Sequence, residues 1–177
     1  TAGCLNIAIG NKAMGAGIVT GTNNIAIGCN SLNALIGGPT NIAIGFNALP
    51  LLTGAYENIA IGKGVMSANR VDGCRNVSIG HFAACGTTSG SWNVALGCLA
   101  LGAASTTCNS IAIGQLAMGT GVTTGTDNIA IGCNAGTDIT SGYNNVFIGK
   151  NTGDATTTGF HNVALGFEAL GSAAAAC

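Results

Sequence analysis

Charge is scarce in this sequence: Lys, Arg, Asp and Glu make up 6% of 177 residues, against about 25% in an average soluble domain. Five basic residues face six acidic ones, so the chain has no basic footprint for nucleic acid. The one local concentration, Arg70, Asp72 and Arg75, is mixed in sign. Aromatic residues are also few, at 5%, so a core has to come from aliphatic side chains and Gly. Long apolar runs are missing as well. Gly breaks each run before the roughly 18 residues that a membrane helix needs, so membrane insertion is not expected. The chain does not read as disordered either. Its apolar content is 47% and its mean hydropathy +0.50, whereas disordered chains are polar and charged. No targeting segment is recognisable.

Signatures of catalysis are absent too. His81 and His161 are the two histidines. They fall at different places in the repeat described below, with no Cys or carboxylate column shared by both. They read as solvated turn residues rather than metal ligands or bases. No Gly-x-Ser-x-Gly elbow occurs. Gly15-Ala16-Gly17 resembles a phosphate loop only in composition, because such Gly-rich stretches recur without a strand-to-helix context. Neither an enzyme activity nor a cofactor nor a metal is expected.

What the sequence has is a repeat. Asn-Ile-Ala-Ile-Gly begins at Asn6 and its variants return at Asn24, Asn41, Asn58, Asn76, Asn93, Ser110, Asn128, Asn145 and Asn162. The spacings run 18, 17, 17 and then repeat that order twice, giving a 52-residue super-repeat. The extra residue falls each time in the same stretch, as a loop on one side of a regular body would. We therefore expect an all-β parallel β-solenoid of about ten coils, forming a single domain over residues 1–177.

Within a unit, the residues one and three after the Asn are always Ile, Val or Leu, and the fourth is always Gly. The second is Ala in eight units, with Ser78 and Phe147 as exceptions. This alternation has the period of a strand. The expected orientation puts the large pair inside the coil and Asn, Ala and Gly outside. On that reading Ala8, Ala26, Ala43, Ala60, Ala95, Ala112, Ala130 and Ala164 form a flat packing face, and Phe147 protrudes from it. A second strand is expected at pairs such as Ala48-Leu49, and a third at a β-branched column running from Val19 through Thr53 and Val71 to Thr157. The Asn column is expected to form an amide ladder that staples coil to coil. Its members are Asn6, Asn24, Asn41, Asn58, Asn76, Asn93, Asn128, Asn145 and Asn162. Asn76-Val77-Ser78 also matches a glycosylation sequon, but a glycan there would break the stack.

Eight cysteines without a Cys-x-x-Cys fit disulfides in an oxidising compartment, hence an extracellular protein; buried free thiols are the alternative. No two cysteines share a column in adjacent coils, so bridges would run across a coil, as from Cys98 to Cys108, or between molecules. Cys4 and Cys177 are expected at opposite ends of the rod, where they could link neighbours head to tail.

Asn-Ile-Ala-Ile-Gly-x-x-Ala-Leu followed by a Thr/Gly-rich turn resembles repeats of viral tail-fibre proteins and of the heads of trimeric autotransporter adhesins. The likeness runs from Asn6 to Leu170. It implies extended, often trimeric, extracellular fibres that touch surfaces. The leading expectation is thus a non-enzymatic fibre or filament subunit whose main partner is itself. An ice-binding solenoid is the alternative, with Thr20, Thr22, Thr124 and Thr126 as its surface, although Pro39, Tyr56, Asp72, Tyr143 and Phe160 interrupt those columns. A glycan-binding adhesive fibre is a weaker third.

Overall fold

In a computed structural model of the chain, residues 3–15, 19–68 and 71–171 are described. Arg70, Cys177 and part of Gly15-Ala16-Gly17 lie outside them. The described residues form twelve three-residue strands and no helix: β1 (Ile7–Ile9), β2 (Ile25–Ile27), β3 (Ala34–Ile36), β4 (Ile42–Ile44), β5 (Leu51–Thr53), β6 (Ile59–Ile61), β7 (Val77–Ile79), β8 (Val94–Leu96), β9 (Ile111–Ile113), β10 (Ile129–Ile131), β11 (Val146–Ile148) and β12 (Val163–Leu165). Ten of them stack in one parallel sheet in the order β1-β2-β4-β6-β7-β8-β9-β10-β11-β12. The protein is a parallel β-solenoid. Each pairing sets a repeat unit directly on the next, as in Ile25↔Ile42, Ala26↔Ala43 and Ile27↔Ile44.

The faces of this sheet are the reverse of the sequence expectation. Ala26, Ala43, Ala60, Ala95, Ala112 and Ala130 are fully buried, and Ala164 is nearly so. Ala8 is exposed because β1 is the edge strand. The Asn residues from Asn24 to Asn145 are buried too, whereas the Ile, Val and Leu on either side of each Ala are half-buried or exposed. The Ala set is therefore lining, not an outer packing face. Coil width is the cause. A 17- or 18-residue coil encloses a narrow channel, and Leu32, Leu49, Met66, Leu101 and Met118 already enter it from the opposite wall. Interiors pack to crystal-like density, so only Ala fits opposite them.

Phe147 shows the same constraint. It does not protrude; it is fully buried in the Ala column. Two coils make room for it by carrying Gly136 and Gly153 where seven of the other eight carry Leu or Met and one carries Ala84. A Cβ on Gly153 would lie 2.8 Å from Phe147 Cγ, and one on Gly136 3.1 Å from its ring.

The second expected strand is instead a turn. Leu49, Met66, Leu101 and Met118 sit there in the left-handed region, at φ 47°, 47°, 50° and 46°. That conformation costs roughly 1–2 kcal/mol per residue, which burial of a Leu or Met side chain, worth about 1.5–3 kcal/mol, offsets. The third strand forms in only two coils, as the β3–β5 pair, extended by the single bridge Leu52↔Val71. In later coils Thr123, Thr140 and their neighbours bond to carbonyls of the next coil without forming a strand.

The Asn ladder runs inside the coil wall. Asn58 Oδ1 accepts from the main-chain N–H and the Nδ2 of Asn76, at 3.0 and 3.1 Å. Asn76 Nδ2 also donates to the Gly90 carbonyl at 2.9 Å. Asn24, Asn41, Asn93, Asn145 and Asn162 make the same coil-to-coil bonds. Buried amides need such partners. Asn76, buried and fully engaged, offers no room for a glycan.

Ser110 interrupts the ladder, and Thr107 repairs it. Ser110 Oγ accepts from Asn128 N–H at 3.2 Å, replacing the Asn oxygen. Thr107 Oγ1, at a position that is Gly in most coils, donates to the Gly125 carbonyl and replaces the Asn nitrogen.

Candidate interaction face

Because Ala turns inward, Ile, Val and Leu form the outer surface of the ten-stranded sheet. They stand in two columns, one led by Ile7 and ending at Val163, the other led by Ile9 and ending at Leu165. Neither column contains a polar or charged residue. Side chains within a column are ~4.8 Å apart and the columns ~6.7 Å apart. Neighbours in the stack cover each other's flanks, so interior rows are half-buried, while Ile79 and Ile148 are 39% and 36% exposed. The face measures roughly 43 Å by 12 Å, about 500 Å², which matches the largest apolar patch expected on a whole monomer.

Polar and aromatic residues frame it. Immediately before each Asn, the chain places Glu57, Arg75 and Trp92 in successive coils. Arg75 Nε donates to Glu57 Oε2 at 2.7 Å, and its guanidinium lies 4.4 Å from the Trp92 ring centre and 5.2 Å from that of Tyr56. The Glu57 carboxylate raises the Arg75 pKa. At the other end of the strand, just past the invariant Gly, His81 Nδ1 and Cys98 Sγ are 3.9 Å apart on adjacent coils. Farther up, Tyr143 and Phe160 stack with ring centres 5.2 Å apart.

Among the described residues the cysteines do not pair. Cys4, Cys29, Cys74, Cys85, Cys98, Cys108 and Cys133 are all free thiols, so the expected bridge from Cys98 to Cys108 is not formed. Cys74 and Cys108 are separated by the coil that carries Ser91, which bonds to both. Burial raises the Cys85 pKa, and its thiol donates to the Gly102 carbonyl at 3.1 Å. Cys4 is exposed, and its proposed link to Cys177 falls outside the described residues.

The threonines do not form one array. Thr20 and Thr124 are exposed, Thr22 and Thr126 half-buried. The two pairs lie six coils apart, in the coils of Asn24 and Asn128. Between them the columns carry Gly37, Gly54, Asp72, Pro39 and Tyr56. Thr126 Oγ1 is moreover bonded to Asp127 at 2.7 Å.

Among the described residues there is no cleft and no group of three or more His, Cys, Asp and Glu side chains able to hold a metal. Sequence reasoning missed the aliphatic face and the His81–Cys98 pair. The face gave no signal in the alternation itself, because a period of two is unchanged when the two sides of the strand are exchanged. The pair was legible as two residues sharing a position in adjacent units. No family model matches the chain, nor does a curated protein or a solved structure.

Proposed function

We propose that this protein is a non-catalytic structural subunit of an extracellular fibre or filament, and that it associates with copies of itself through the aliphatic face. One observation carries the reading: two unbroken columns of Ile, Val and Leu cover the outside of ten stacked strands. The largest apolar patch of a monomer is often a functional surface. Two such faces packed together bury about 1,000 Å², the lower range of a specific interface. The hydrophobic effect supplies the driving force, and the flat column geometry supplies complementarity without specific polar contacts. Extracellular placement rests on the likeness of the repeat to those of surface-touching fibres.

Sedimentation velocity tests this. The full chain is expected to associate at concentrations of about 10–100 μM. The Ile61→Lys/Ile113→Lys variant, altered on half-buried outward positions, is expected to be monomeric with an unchanged circular dichroism spectrum. A wild-type monomer throughout that range would refute the reading. The ice-binding alternative keeps one supporting feature, the regular spacing of rows on a rigid flat face. A monomer that shows thermal hysteresis, lost in the same variant, would establish that alternative instead.

A further inference from the structure

His81 and Cys98 are a soft-ligand pair, and the His81 ring also packs on Phe82 with ring centres 4.4 Å apart. They occupy the same position in adjacent coils, two residues past Ile79 and Leu96, at the margin of the aliphatic face. Their Nδ1 and Sγ are 3.9 Å apart. In a tetrahedral zinc site, bonds of about 2.05 and 2.3 Å place a nitrogen and a sulfur about 3.6 Å apart. A closure of a few tenths of an ångström, within reach of side-chain rotation, makes the pair two adjacent corners of such a site. The other two corners are missing from the described residues of one chain.

Position in the stack says where they come from. β7 and β8, which lead into His81 and Cys98, are the fifth and sixth of the ten strands. If two faces meet about a twofold axis running along the strands, coil order is reversed across the interface. The fifth coil of each copy then lies opposite the sixth of the other. This is the register that buries all ten rows, and it brings both His81–Cys98 pairs to the axis on the same edge. The flanking charges tolerate it: Lys63 meets Gln115, Lys150 meets Cys29, and Arg75 meets Trp92, a favourable cation–π contact. A twofold axis along the solenoid instead sets His81 against Arg75 and leaves the two pairs on opposite edges.

We propose that His81 and Cys98 form half of a zinc site that a second, antiparallel copy completes. The inference rests on self-association through the aliphatic face. Two thiols and two neutral imidazoles bind one Zn²⁺ and release two protons, leaving a neutral Cys₂His₂ centre. Imidazole and thiolate together suit zinc.

The test uses the reduced, metal-free full chain titrated with zinc chloride, read by sedimentation equilibrium and by bound zinc per chain. The expected result is one zinc per two chains and a dimer tightened by the metal. His81→Ala and Cys98→Ser are each expected to weaken zinc binding roughly 100-fold or more, since even indirect supports of a metal site cost 10–100-fold. Cys133→Ser, in the same column two coils on, is expected to change nothing. Cobalt in place of zinc should give the intense visible absorption of a tetrahedral thiolate site. Zinc bound at one per chain, zinc retained by both variants, or a self-associated protein that binds no zinc would each overturn the proposal while leaving the aliphatic-face reading standing. A protein that stays monomeric with and without zinc would overturn both.

Discussion

Replacing Asn58 by Ala tests whether the ladder holds the coils together. Asn58 is fully buried. Its Nδ2 donates to Asn41 Oδ1 at 3.2 Å and to the Gly73 carbonyl at 2.9 Å. Its Oδ1 accepts the two bonds from Asn76. Alanine removes all four. Asn41 Oδ1 keeps the main-chain N–H of residue 58, and Asn76 Nδ2 keeps Gly90. The Asn76 N–H and the Gly73 carbonyl lose these partners inside the coil wall. A buried group left without a partner costs about 1–3 kcal/mol, so the expected loss is about 3–5 kcal/mol once the small cavity is included. For a chain of this size that corresponds to a fall in Tm of roughly 10 °C. Urea titration followed by circular dichroism measures it. A loss below about 1 kcal/mol would refute the assignment of coil stapling to the amides. Ser110 and Thr107 provide the complementary arm. Ser110→Asn alone crowds Thr107, and Thr107→Gly alone strips the Gly125 carbonyl of its hydroxyl donor. Together they rebuild the standard rung, so a double-mutant cycle should show a favourable coupling of at least about 1 kcal/mol.

Two further outcomes follow from close packing between coils. Gly97 and Gly166 both have strongly positive φ, 135° and 124°, but a Cβ on Gly97 would lie 2.6 Å from the Gly114 carbonyl oxygen, whereas one on Gly166 meets nothing within 4 Å. Both Ala variants carry backbone strain, and thermal unfolding should show Gly97→Ala costing at least about 2 kcal/mol more; equal losses would show that strain alone selects Gly. Phe147→Ala is expected to cost about 3–5 kcal/mol, and Gly153→Leu added to it should recover part of that by refilling the space with the residue type other coils use. No recovery in urea unfolding would contradict the volume exchange.

Much of this fold was legible in order of sequence. The return of Asn-Ile-Ala-Ile-Gly fixes where each strand begins, how coils pair and in what register, because a one-residue slip would turn every side chain to the wrong face. The Asn column was readable as a ladder. The expected bridge across a coil, from Cys98 to Cys108, failed, and the other described cysteines do not pair within the chain either, for a physical reason. An even count of Cys gives a parity, not a distance, and the shared columns keep Cys74 and Cys108 two coils apart, about twice the strand spacing.

By itself, then, the sequence determined the period, the strand and the ladder, all of which depend only on spacing along the chain. Which side of the strand faces inward was decided by tertiary structure alone. Alternation with a period of two is unchanged when the two faces are exchanged. The tie is broken by the width of the channel and by the Leu and Met side chains that reach across it from a turn the pattern did not reveal. That choice sends Ala to the core and Ile to the surface. It turns what looked like the protein's filling into its candidate contact face.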